Sequence, residues 1–93
     1  MRFEWDDVKA AANRRRHGVS FREAASVFTN PLARIFDDED HSADELRKIM
    51  IGHSRVGRLL VISYTVHGEA VRIISARKAT RNERKDYEED IAN

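Results

Sequence analysis

The sequence predicts an α+β domain, with a small antiparallel sheet flanked by two N-terminal helices and one C-terminal helix. Three observations carry this. Two helical segments with start and stop signals follow a short alternating stretch. Four strand-like runs then succeed one another with links too short for helical crossovers. A capping box announces a last helix. A chain of 93 residues argues for one compact domain spanning 1–93.

The elements follow in order. In RFEW, Phe3 and Trp5 alternate with Arg2 and Glu4, the period of a strand. Asp6 is placed as a helix N-cap, DVKAAANRRRH is rich in helix formers, and Gly18 stands where a left-handed C-cap is wanted, so a helix is expected over 7–17. Ser20 and Glu23 have the spacing of a capping box, with Val19 set to staple against Ala24. Phe21, Ala24, Ala25 and Phe28 form one apolar stripe, and Asn30-Pro31 stops this second helix. LARIF, RKIMIG, RLLVISYTV and AVRIISA read as strands, with Ile49 and Ile51 on one face and turns at Gly57 and His67-Gly68. Paired apolar residues, Val61-Ile62 and Ile73-Ile74, suggest middle strands partly covered on both faces. Thr80 and Glu83 repeat the capping-box spacing, and Tyr87 and Ile91 can face the sheet from the final helix.

Composition narrows the function classes. With no cysteine there is neither a disulfide nor a thiolate metal site. No apolar run approaches the length needed to cross a bilayer, and acids in MRFEWDDVKA oppose a signal peptide. A cytoplasmic protein without membrane contact is therefore expected. Net charge is only +1, but it is unevenly placed: residues 37–45 hold six acids and no Lys or Arg, whereas 77–85 hold five bases and one acid. The acidic stretch with His41 lacks the glycine and ligand spacing of a calcium loop, so no metal site is expected, and no cofactor fingerprint or G-x-S-x-G elbow is present.

Three places could carry chemistry. Arg77, Lys78 and Arg81 gather where a strand hands over to a helix N-terminus, a natural seat for an anion, and no structural duty is evident for them. A solvated basic edge is the alternative. His53, Arg55 and Arg58 share a turn and could combine acid–base work with phosphate holding, or be a polar turn only. Lys9, Asn13 and His17 recur at helical spacing and could meet RNA, or form a solvated face. Tyr87 could stack on a base or transfer a proton, or belong to the core.

Two blocks resemble a known family. FEWDDVKAAANRRRHGVSFREAASVF matches at F-E-W-D, at Lys9 and Asn13 and at H-G-V-S-F. GRLLVISYTVHGEAVRIISARKATRNERKDYE matches at G-R-L-L-V, at Y-T, and at R-I-I-S-A-R-K-A-T with the following E-R and Tyr87. Both resemble the BrnT toxins of bacterial type II toxin–antitoxin systems, with Arg16 where many members have lysine. The resemblance implies a RelE-like fold and a metal-independent endoribonuclease that inhibits translation and arrests growth. It implies a cognate antitoxin of the ribbon–helix–helix, BrnA-like class, in a hetero-oligomer that contacts operator DNA only through the antitoxin. Taken with the chemistry of RNA cleavage, it places Arg77 and Lys78 at the scissile phosphate, Arg81 as a further clamp and Arg55 and Arg58 on flanking phosphates. His53 is then the first candidate acid or base and Tyr87 the second. A non-catalytic nucleic-acid-binding or corepressor module is the alternative.

Overall fold

In the computed structural model, which describes residues 1–38 and 46–92, a short strand β1 (Arg2–Glu4) leads into helices α1 (Asp7–His17) and α2 (Phe21–Ser26). A 3-10 turn, Val27–Thr29, continues α2. The strands β2 (Arg34–Asp37), β3 (Arg47–His53), β4 (Leu59–His67) and β5 (Ala70–Lys78) follow, and α3 (Arg81–Ala92) closes the order. No helix among the described residues is long and apolar enough to cross a membrane.

The helix boundaries have visible local causes. The Asp6 carboxylate accepts hydrogen bonds from the Val8 and Lys9 backbone N–H groups at 2.8 and 3.1 Å. Gly18, at φ 69°, ends α1 in the left-handed region that suits glycine, and its N–H donates to the Arg14 carbonyl. The box at α3 is reciprocal: Glu83 N–H donates to Thr80 Oγ1 at 3.1 Å, and Thr80 N–H donates to Glu83 Oε1 at 2.8 Å. The box at α2 is half formed. Ser20 Oγ accepts from Glu23 N–H, but the Glu23 carboxylate turns away to Ser54 and Arg58.

The sheet order is β1-β5-β4-β3-β2. β2 through β5 are antiparallel neighbours, as expected. β1 is different: it lies parallel to β5, Phe3 opposite Val71, so the sheet is mixed and not wholly antiparallel. The long connection through the helices permits this parallel pairing.

Strand alternation divides the residues between two cores. α1 and α2 cover one face, where Val19, Phe21, Val27, Met50, Leu60 and Ile62 are buried together. On the other face α3 packs Tyr87 and Ile91 against Ile51, Leu59 and Val61. α3 covers only part of that face: it packs on Ile51, Leu59 and Val61 and leaves Phe36 54% exposed. Of the acidic stretch, residues 39–45, His41 among them, lie outside the described residues, while Asp37 pairs with Lys48 at 2.8 Å.

Candidate functional site

The strand registers lay out the α3 face as a ladder. Beside α3, Arg77, Val61, Ile51 and Arg34 stand in one row across β5, β4, β3 and β2. The next row holds Ser75, Ser63, Ile49 and Phe36, and beyond it lie Arg72, Thr65 and Arg47. Neighbours within a row are about 5 Å apart, and rows about 7 Å apart. Arginines thus bracket a short polar and apolar surface.

Arg77 is the best-defined member. Its guanidinium grips Glu83 with two parallel hydrogen bonds, at 2.7 and 2.8 Å. Glu83 is also the capping-box residue, so the start of α3 and the aim of Arg77 are set by one carboxylate. The Arg77 hydrogen bonds are the main reason that this carboxyl is held down at about 2. Burial opposes the effect and the Thr80 N–H assists it. The expectation that Arg77 lacks a structural duty is therefore corrected. The carboxylate to which it is paired stood six residues ahead in the sequence.

The pleat separates the remaining basic residues. Lys78 pairs with Leu60 of the helix-covered face, while Arg77 pairs with Val61 of the α3 face, so neighbouring side chains leave β5 on opposite sides. Both Lys78 and Arg81 are exposed. Arg58 belongs to the helix-covered side too. It is paired with Glu23 through Nε at 2.9 Å and through its terminal nitrogen, which also donates to the Gly18 carbonyl at 3.0 Å. The Glu23 carboxyl is lowered from its ordinary value by these Arg58 bonds. Arg58 thus ties the β3–β4 turn to the helices, a role unlike the expected one of phosphate holding. Arg55 is exposed and anchored through its N–H to Ser26 Oγ at 2.9 Å.

His53 and Tyr87 come together on the α3 side, with ring centres 5.8 Å apart at 65°. The Tyr87 hydroxyl, however, donates to the Leu32 carbonyl at 2.9 Å, and the side chain is buried. Asn13 is also interior. Its amide donates to the Val19 and Ala76 carbonyls at 3.0 and 2.8 Å and accepts from Ala76 N–H at 3.1 Å. It joins α1 to β5 and does not share an exposed face with Lys9 and His17.

Arg47, Arg72, Ser63, Ser75 and Phe36 were not singled out from the sequence. Alternation in β3 puts Arg47 with Ile49 and Ile51, but alignment with Arg72 depends on the hairpin registers and on an irregularity at Ser63/Tyr64. Between the second row and α3 runs a groove of about 370 Å³, floored by Phe36, Ile49, Ile51 and Val61 and walled by Glu83 and Asp86. Among the described residues no cluster of three His, Cys, Asp or Glu side chains is arranged to hold a metal ion.

A search of the curated proteins finds no match. Among solved structures, the 1.1 Å crystal structure of the Brucella abortus ribonuclease toxin, BrnT, is similar, with a TM-score of 0.68 and 26% identity. The match covers 87% of this chain and 99% of that one, and the α+β architecture agrees with a RelE-like arrangement. The family model described as "Ribonuclease toxin, BrnT, of type II toxin-antitoxin system" matches residues 5–83. This chain belongs to the BrnT family of ribonuclease toxins of type II toxin–antitoxin systems.

Proposed function

We propose that the protein is an endoribonuclease that cuts RNA on the α3 face of the sheet, with Arg77 at the scissile phosphate. The observation that carries this is the bidentate hold of Glu83 on Arg77 at the rim of the Arg-bracketed face. A guanidinium already oriented loses little freedom when it meets a phosphate. Its charge offsets the negative charge that builds on the phosphoryl oxygens as the 2′-OH attacks. Arg47 and Arg72, both two rows away, hold flanking phosphates on the same side.

His53 takes the proton-transfer role, to the leaving 5′-oxygen or from the 2′-OH, in a reaction that needs no metal. It stands two strands from Arg77, and the Tyr87 ring orients its imidazole. Lys78 and Arg81 act at the edge, where long side chains can attract the backbone from either side of β5. In the cytoplasm the cutting blocks translation and arrests growth. A BrnA-like ribbon–helix–helix antitoxin neutralises it and carries the complex to operator DNA.

The completed Arg77–Glu83 pair favours a second reading, a non-catalytic nucleic-acid-binding or corepressor module, because a satisfied guanidinium has less left to offer substrate. One experiment separates the two. Purified protein should cut RNA in EDTA, with breaks mapped by primer extension, and Arg77→Ala should lose activity by about 100-fold or more, the scale for removing a charge-stabilising donor. Intact RNA after prolonged incubation with folded wild-type protein would defeat the nuclease reading and leave the second.

A further inference from the structure

We infer that the groove between α3 and the second row is a nucleobase subsite, in which Phe36 is the stacking platform and Asp86 the hydrogen-bond acceptor. This rests on the ribonuclease reading and adds to it how a base beside the cut would be chosen.

Phe36 is 54% exposed, on the edge strand, directly opposite Ile49. An aromatic side chain left open beside aliphatic neighbours offers a flat apolar surface, and an RNA base stacks on such a surface irrespective of its sequence. The groove is concave and, at about 370 Å³, falls within the range of small-ligand pockets. Its opposite wall is one face of α3, because Glu83, Asp86, Tyr87 and Asp90 recur at helical spacing.

Charge decides which part of a nucleotide enters. Glu83 is neutralised by Arg77, and Asp90 by Arg34 at 2.6 Å. Asp86, between them on the helix, has no ion pair among the described residues. A lone carboxylate repels phosphate, so the backbone stays with Arg77, Arg72 and Arg47 while the base turns inward. Phe36 is three strand spacings from the β5 row, about 14 Å, so the base on it belongs to a nucleotide flanking the one held by Arg77.

The same carboxylate sets a preference. Ionised Asp86 accepts hydrogen bonds and donates none. Guanine presents an N1–H and an amino group side by side on its Watson–Crick edge, two donors for one carboxylate. Uracil presents a single N–H between two carbonyl oxygens that a carboxylate repels. The subsite therefore favours guanine over uracil.

The test uses non-cleavable 2′-O-methyl pentamers, UUGUU and UUUUU, labelled with fluorescein and titrated by anisotropy. Wild-type protein should bind UUGUU more tightly. Phe36→Ala should weaken binding of UUGUU by about five- to 150-fold, the range of one base–aromatic stack, while Phe36→Trp retains it. Asp86→Asn should erase the preference for guanine. Both positions are exposed, so melting temperatures should stay near the wild-type value. Wild-type affinity in Phe36→Ala, or equal wild-type affinity for the two pentamers, overturns the subsite. So does a Phe36→Ala protein that loses only its hold on the antitoxin, which would make the groove a protein-docking surface. If Arg77→Ala stops cleavage while Phe36→Ala cuts the same sites at the same rate, the subsite fails and the nuclease reading stands. If the wild type binds pentamers as described but cuts no RNA, the nuclease reading fails and the base-binding groove stands.

Discussion

Replacing Asn13 by alanine separates an interior role from a surface one. The Asn13 side chain makes three hydrogen bonds, donating to the carbonyls of Val19 and Ala76 and accepting from the N–H of Ala76. The residue is only 8% exposed, and Val19 and Ala76 are fully buried. In the alanine variant the Ala76 N–H loses its partner and two carbonyls lose theirs, in an interior that water does not reach. At about 1 kcal/mol for each bond, and more for a donor left unpaired, the loss is about 3 kcal/mol. For a domain of this size about 1 kcal/mol lowers the melting temperature by roughly 4–8 °C, so a fall of about 12–24 °C is expected. Urea denaturation followed by circular dichroism gives the same quantity from the midpoint shift at constant slope. Asn13→Asp should recover nothing, since it keeps an acceptor for Ala76 N–H but sets a buried, charged oxygen against the two carbonyls. A variant within about 0.5 kcal/mol of the wild type that binds RNA poorly would refute the interior account and return Asn13 to the surface.

Other perturbations test the same structure elsewhere. Glu83 is held at about 2 against a usual 4.5, so its pair with Arg77 contributes stability above pH 4.5 that is lost as pH falls from there toward 2. The drop corresponds to a ceiling of about 3.4 kcal/mol. With the partners' side chains 34% and 40% exposed, screening reduces it to about 1 kcal/mol. Acid titration of stability should show that loss in the wild type and a flatter profile in Glu83→Gln; matching profiles would sink the account. Arg58→Ala should cost about 2 kcal/mol, because Glu23, 13% exposed, is left with Ser54 alone. Its carboxyl should then titrate closer to its ordinary value by carbon-detected NMR. Gly52→Ala should destabilise by about 1–3 kcal/mol, since the new Cβ would lie 2.9 Å from both Ala33 Cβ and Val27 Cγ1. An unchanged melting temperature would show that β3 and the 3-10 turn have room to part.

The sequence by itself determined the local structure, because its signals act over a few residues. Asp6 and Gly18 bound α1 through a carboxylate on free N–H groups and a left-handed backbone. Thr80 and Glu83 start α3, and Ile49 and Ile51 share a face because strand alternation permits nothing else. The family blocks were legible too, as strings. What only the tertiary structure decided is where those residues meet. β1 joins β5 in parallel because the helices carry the chain across the sheet, which three residues of alternation do not reveal. Asn13 has the spacing of an exposed helix position, yet it is interior because α1 rests on Ala76, 63 residues away. Arg77 and Lys78 are neighbours in the chain and opposites in the sheet, since the pleat turns one toward α3 and the other toward the helix layer. Arg47, Arg72 and Phe36 join the candidate site only through strand register. Register depends on turns and on one bulge, and charge clustering along the chain carries no trace of it.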